Sequence, residues 1–375
     1  HRQQVILLRE KGQLSMHIEQ CFQDVDSRWS LTGTIVLIRL VFILKRQELV
    51  MSKAIRIQEY GGPDVLRWQD APVSAPGQGE VHLRHSAVGL NYIDIYHRCG
   101  LYPLGDLPAT PGMEGAGVVV AVGEGVDEVS PGDRVAYAGL PPGAYAQERL
   151  IPAHRLVKLP DGISDQQAAG MMLQGMTVQY LLRSTFHVKP GDTILFHAAA
   201  GGVGLIACQW AKQLGATVIG TVGSPEKAEL ASAHGCDYPL LYRDEDWVER
   251  VRQITDGEGV PVVYDSIGKD TFMKSLDCLR PLGLMVSFGQ ASGPIGPFDA
   301  GVLAARGSLF LTRPTLMTYT ANRQDLLASA KELFDVVMSG AVKIEVKQTY
   351  PMTDVARAHR DLEARRTTGS TVLIP

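Results

Sequence analysis

Thr-Ile-Leu-Phe-His-Ala-Ala-Ala-Gly-Gly-Val-Gly-Leu-Ile-Ala-Cys-Gln-Trp-Ala-Lys-Gln-Leu-Gly, residues 193–215, is the stretch from which the fold can be read. Residues 193–197 are β-favouring and mostly apolar. After a run of small residues, Val203, Ile206, Ala207, Trp210 and Leu214 recur at helical spacing, so the segment predicts strand, tight turn, helix. Gly201 and Gly204 occupy the second and third glycine positions of a G-x-G-x-x-G fingerprint, Ala199 stands at the first, and Gly202 adds room beside Val203. Such a turn leaves unpaired backbone N–H groups at a helix start, where the macrodipole also favours negative charge. A diphosphate over Gly201 and Gly202 would satisfy them. The competing reading, a tight strand-to-helix connection without a ligand, loses weight because the motif lies within a repeating strand–helix pattern. Gly215 closes the helix as a C′ residue.

The next strand, residues 216–222, ends where a dinucleotide site reads the adenosine ribose. A site for the unphosphorylated cofactor commonly carries Asp or Glu there. Here stand Val222, Gly223, Ser224 and Pro225, with Lys227 just beyond. No acid, a hydroxyl and a nearby cation suit a 2′-phosphate and predict NADPH over NADH. A solvated helix lysine is the alternative for Lys227.

The remaining chain supports two domains of opposite character. A length of 375 residues suffices for about two cores. Residues 51–173 are rich in turn signals between alternating segments such as 81–88 and 117–122, which predicts a β-rich unit. Ser164-Asp165-Gln166-Gln167 is a capping box predicting a helix to about Leu182. From 191 to 307 strands and helices alternate, the pattern of a mainly parallel sheet covered on both faces. The last segment, with helices near 325–338 and 354–365 and strands near 343–349 and 370–374, is expected to pair with the first unit. The fold class is therefore α/β: a β-rich domain at 51–174 and 312–375, and a Rossmann doubly wound nucleotide-binding domain at 175–311. Residues 1–50 are read as an extension outside the native fold, with Met51 as the natural start. Their apolar run at 35–44 is about half a membrane span, and an amphipathic membrane or partner helix is the competing reading.

Composition excludes other classes. A net charge of −4 gives no broad cationic surface, which argues against nucleic acid or an anionic membrane as the main partner. Five scattered cysteines without a C-x-x-C pair fit a reducing, cytoplasmic compartment.

Gly-Gly-Pro-Asp-Val-Leu (61–66), Gly-Leu-Asn-Tyr-Ile-Asp-Ile-Tyr (89–96), Gly-Leu-Tyr-Pro (100–103), Pro-Gly-Met-Glu-Gly-Ala-Gly (111–117), Gly-Asp-Arg-Val (132–135), residues 197–204 and Val-Val-Tyr-Asp-Ser-Ile-Gly (262–268) together resemble the zinc-free, zeta-crystallin-like NADPH:quinone oxidoreductases of the medium-chain dehydrogenase/reductase superfamily. The likeness covers 51–375 and implies a GroES-like β-rich domain, NADPH as cofactor, a quinone acceptor and a homodimer, with 308–312 as an edge strand available for pairing. Zinc-dependent members use a Cys and a Gly-His-Glu histidine as ligands. The matching positions here are Asn91 and Met113, and no cysteine lies between 131 and 150, so no metal is expected. Without a Lewis acid the acceptor should already be electron-poor: a quinone, or alternatively an enone or 2-alkenal. A crystallin-type RNA-binding role is a further alternative, against which the lack of a basic stripe counts.

The resemblance places Asn91, Asp94, Tyr96 and Tyr102 at the nicotinamide end as candidate catalytic residues. Asn91 would bond the carboxamide or acceptor oxygen, and the tyrosines would supply an aromatic wall and a phenol donor. Asp94 is read as a loop holder before an acid; a turn-forming Asn91 and core tyrosines are the structural alternatives. Gln174 and Thr177 at the domain boundary, Tyr242 near the adenosine phosphate and Arg365 complete the implied cofactor contacts. Ser266, Phe288 and Gln290 join them because ligands sit outside the carboxyl ends of parallel strands.

Overall fold

The computed structural model describes residues 49–375; apart from Leu49 and Val50, what was expected of residues 1–50 lies outside them. β1 (Lys53–Arg56) and β2 (Arg67–Asp70) form an antiparallel pair. β3 (Glu80–Leu90) runs directly into α1 (Tyr92–Arg98) through Asn91. β4 (Glu114–Val122), β5 (Arg134–Ala138), β6 (Glu148–Pro152) and β7 (Val157–Lys158) follow.

Two short helices, α2 (Asp165–Ala169) and α3 (Met172–Tyr180), lead to the nucleotide-binding half. The reading of one helix from Ser164 to Leu182 is corrected here. The capping box forms as expected, Ser164 Oγ accepting from Gln167 N, but the helix stops at Gly170. The Gly170 carbonyl takes a 2.6 Å hydrogen bond from Ser370 Oγ, a partner 200 positions away.

Strands and helices then alternate: β8 (Thr193–Phe196), α4 (Gly202–Gln213), β9 (Thr217–Val222), α5 (Pro225–Ala233), β10 (Tyr238–Leu241), α6 (Trp247–Ile254), β11 (Val260–Asp265), α7 (Phe272–Asp277), β12 (Leu279–Ser287), α8 (Gly301–Ala305) and β13 (Phe310–Thr312). All six strands are parallel, in the order β10-β9-β8-β11-β12-β13. That is the doubly wound arrangement, reversing between β8 and β11. Alternation along each strand explains the two covered faces. Ile194, Phe196, Val218, Val262, Tyr264 and Val286 belong to one buried cluster, while Leu195, Ile219, Val263 and Met285 belong to the other.

The chain closes with α9 (Leu316–Tyr319), α10 (Arg323–Met338), β14 (Val346–Pro351), α11 (Val355–Glu363) and β15 (Ser370–Ile374). β15 pairs antiparallel with β3, so the C-terminus completes the seven-stranded β-rich sheet β14-β15-β3-β4-β5-β7, with β6 also on β3. This half has its own core around Leu83, Val119, Tyr137 and Tyr145.

Candidate active site

The glycine-rich turn sits at the switch point, after β8. His197 is buried there between Thr221 Oγ1 at 2.8 Å and Ser275 Oγ at 2.9 Å; burial lowers its pKa and it serves as an anchor. Ala198 takes a left-handed φ of 56° and accepts a bond from Gly201 N. A Cβ on Gly204 would lie 2.3 Å from the Ala198 carbonyl oxygen, and one on Gly202 would lie 2.3 Å from Gln174 Oε1. Gly204 therefore needs glycine for strand, turn and helix to converge, whereas Gly202 leaves room for the Gln174 amide. No side chain caps α4. The first-turn N–H groups around Gly202, Val203 and Gly204 thus face the carboxyl edge of the sheet without helical partners, beside the buried Ala199.

Beyond β9, Ser224 caps α5, and Tyr242 covers Gly223. Lys227 Nζ donates to the Arg365 carbonyl at 2.8 Å, and Arg365 Nη1 donates to Tyr242 Oη at 3.0 Å. Arg243 lies over the Tyr242 ring, 5.7 Å from its centroid. Partial burial, together with the charges of Arg365 and Arg243, holds the Lys227 pKa below its usual value. Arg365 and Arg243 meet on one phenol with Lys227 tied to Arg365 beside them, and among the described residues none of the three cations forms an ion pair with a carboxylate. Such an arrangement accommodates a dianion. Arg243 escaped the sequence reading, although a basic residue just past the end of a parallel strand is a usable signal.

At the opposite end lies a buried polar relay. Asn91 Nδ2 donates to Glu114 Oε2 at 2.6 Å, and Gln174 Nε2 donates to Asn91 Oδ1 at 3.1 Å. Glu114 Oε1 accepts from Leu173 N at 2.8 Å, while Gln174 Oε1, 2.9 Å from Ser370 Oγ, shares that hydroxyl's one hydrogen with the Gly170 carbonyl. Burial pushes the Glu114 pKa up to about 8, against the Asn91 hydrogen bond. Asn91 thus spends both ends of its amide on neighbours, and Gln174 rests on the glycine-rich turn. Thr177 follows one turn later on α3, also buried.

Asp94 is enclosed by its own half of the protein. It has no exposed surface, accepts from Asn91 N at 2.8 Å and from Tyr145 Oη at 3.0 Å, and caps α1. Burial lifts its pKa to about 7. Behind it, Arg98 donates to His359 Nδ1 at 3.2 Å and His359 Nε2 meets Tyr145 Oη at 3.1 Å, a directed chain ending on Asp94. The geometry makes Asp94 a fastening of α1.

Tyr96 and Tyr102 stand edge to face, 5.2 Å between centroids. Tyr96 Oη accepts from Gln290 N at 3.1 Å, and Tyr102 Oη accepts from Gln290 Nε2 at 3.2 Å and from Arg313 Nη2 at 3.1 Å. Ser266, Phe288 and Gln290 lie just past the carboxyl ends of β11 and β12, and Phe288 packs on Phe196 at 5.7 Å. Arg313 and Tyr92, which bonds the Ala291 carbonyl at 3.3 Å, were not legible as site residues.

Among the described residues no three His, Cys, Asp or Glu side chains are grouped so as to hold a metal ion. At the zinc-ligand positions, Asn91 is committed to Glu114 and Gln174, and Met113 is buried; this donor set does not fit zinc. Sheet order, N–H-rich turn, cation cluster and aromatic wall together define a two-domain, dinucleotide-dependent oxidoreductase.

Family models agree: residues 77–161 match an alcohol dehydrogenase GroES-like domain and residues 202–339 a zinc-binding dehydrogenase domain. A quinone oxidoreductase of Pseudomonas aeruginosa is 54% identical over 325 residues, 87% of this chain and 100% of that protein. A 2-haloacrylate reductase of Burkholderia is 49% identical, over 87% of this chain and 99% of that one. The crystal structure of Escherichia coli quinone oxidoreductase complexed with NADPH superposes with a TM-score of 0.85 at 48% identity, covering 86% of this chain and 100% of that one. The chain belongs to the quinone oxidoreductase family of the medium-chain dehydrogenase/reductase superfamily.

Proposed function

We propose that this protein is an NADPH:quinone oxidoreductase. The observation that carries the reading is the juxtaposition, at the carboxyl ends of β8 and β9, of an N–H-rich turn and the Lys227, Arg243 and Arg365 cluster. The first matches a diphosphate and the second a 2′-phosphate. Similarity to an enzyme crystallised with NADPH supports it.

Bound NADPH supplies a hydride at its nicotinamide C4. The chain's own residues provide orientation and dryness. Gln174 and Asn91, fixed by Glu114 and Ser370, each keep one uncommitted amide N–H for the nicotinamide end. Tyr96 and Tyr102 wall off the acceptor side, and the Tyr102 O–H can donate to an acceptor oxygen as charge develops there. Quinone oxygens take their protons from water.

Quinone reduction followed with NADPH and NADH tests the reading. The wild type should strongly prefer NADPH, and Lys227→Ala with Arg365→Ala should raise the NADPH KM by about 10- to 100-fold while changing NADH little. Equal use of the two nucleotides, or no turnover with any simple quinone, would sink it. A second reading, reduction of an electron-poor C=C bond, is favoured by the similarity to a 2-haloacrylate reductase. The protein is also proposed to act as a cytoplasmic homodimer. β13 forms the sheet edge and leaves Phe310 and Leu311 59% and 36% exposed, which supports pairing there. Among the described residues no helix is long and apolar enough to cross a membrane.

A further inference from the structure

We propose that Arg313 makes the acceptor end of the cleft selective for α,β-unsaturated carboxylates. This rests on the NADPH-dependent reductase reading and names the substrate class that its acceptor site takes. Arg313 directly follows β13, and two hydrogen bonds hold its guanidinium: Nη1 donates to the Ser287 carbonyl at 2.7 Å and Nη2 to Tyr102 Oη at 3.1 Å. Ser287 closes β12, so the fork is anchored to the sheet edge where ligands of such sheets lie. A guanidinium carries five N–H donors. Neither recorded partner is a carboxylate, and among the described residues no Asp or Glu oxygen lies within 4 Å of Arg313.

The surroundings shape what the fork can take. Tyr102 Oη accepts from both Arg313 and Gln290, leaving its own hydrogen to donate to a ligand. The Tyr96 ring stands 5.2 Å away, edge to face. A planar conjugated acid fits this set: its carboxylate meets the guanidinium fork, bidentate recognition that Lys cannot reproduce. Its double bond then lies along the aromatic wall. A neutral quinone would use the phenol and leave the fork idle.

The chemistry also favours this class. Hydride adds to the β-carbon, the π pair of the C=C bond moves to the α-carbon, and that carbon takes a proton from water. The products are the saturated acid and oxidised nucleotide. Negative charge grows beside the carboxylate during the step, so a cation on that carboxylate binds the transition state more tightly than the ground state.

The test uses the full-length protein with 2-chloroacrylate, its methyl ester and 1,4-benzoquinone as acceptors. Wild type should favour the acid over the ester in kcat/KM. Because Arg313 also holds Tyr102 Oη, Arg313→Gln should lower kcat/KM for every acceptor, but by about 10- to 100-fold more for the acid than for the ester or quinone, and Arg313→Lys should recover part of that difference. Saturation-transfer NMR of 2-chloropropionate, the saturated product, gives a readout independent of turnover: wild type should bind it and Arg313→Gln should not. Equal rates for acid and ester in the wild type, or equal losses for all three acceptors in Arg313→Gln, would overturn the proposal while leaving quinone reduction intact. If quinone is not reduced, the parent reading fails, and the NMR comparison still decides whether Arg313 holds a carboxylate.

Discussion

Glu114 illustrates how much a single buried side chain controls. Its carboxyl holds Asn91 and the backbone at Leu173, and through Asn91 it sets Gln174 against the glycine-rich turn. Burial raises its pKa to about 8 and that of Asp94 to about 7, both above their values in an unfolded chain. In that window the folded state binds more protons than the unfolded state, so stability is fully present below about pH 4 for these groups and is lost as pH rises toward 8. Thermal unfolding across pH 5 to 8 should accordingly show a Tm that falls as pH rises. Glu114→Gln should flatten that slope and lower stability at pH 6 by about 1–3 kcal/mol, because an amide cannot accept from both N–H donors. A variant keeping the wild-type slope would show that Glu114 does not titrate in this range. Glu114 was readable in sequence as a family-motif position, but not its partners.

The glycine-rich turn is the element that was most legible. The spacing of Gly201 and Gly204 after an apolar strand reflects a local requirement, and local requirements are written within a few residues. The structure adds that Gly202 answers to α3: a Cβ there meets the Gln174 amide, a movable side chain, whereas one at Gly204 meets the Ala198 and Ala199 backbone. Gly202→Ala should weaken nucleotide binding about 10-fold, and its loss and that of Gln174→Ala should combine to less than their sum in the double variant. Calorimetric titration of the two single variants and the double checks this; simple additivity of the losses would show that the contact is not the cause. The break at Gly170–Met171 was invisible for the converse reason. Ser164 to Leu182 reads as one helix locally, and distant side chains hold the break: the Ser370 hydroxyl on the Gly170 carbonyl and Glu114 on Leu173 N.

For the whole molecule, the exposed edge is the feature with consequences. β13 presents unpaired backbone and Phe310, a liability in a monomer and a natural seam for a two-fold pair. Light scattering should give twice the chain mass, and Phe310→Glu should shift the protein to monomer; an unchanged dimer would place the seam elsewhere.

Periodicity, turn residues and the glycine fingerprint determined by themselves the parallel nucleotide-binding sheet and the β-rich partner. Each depends on neighbours close in the chain. Tertiary structure alone decided what the polar side chains hold. Arg313 reaches Tyr102 across 211 positions and Ser370 reaches Gln174 across 196, so their pairing follows from how the sheets pack, which no local pattern encodes.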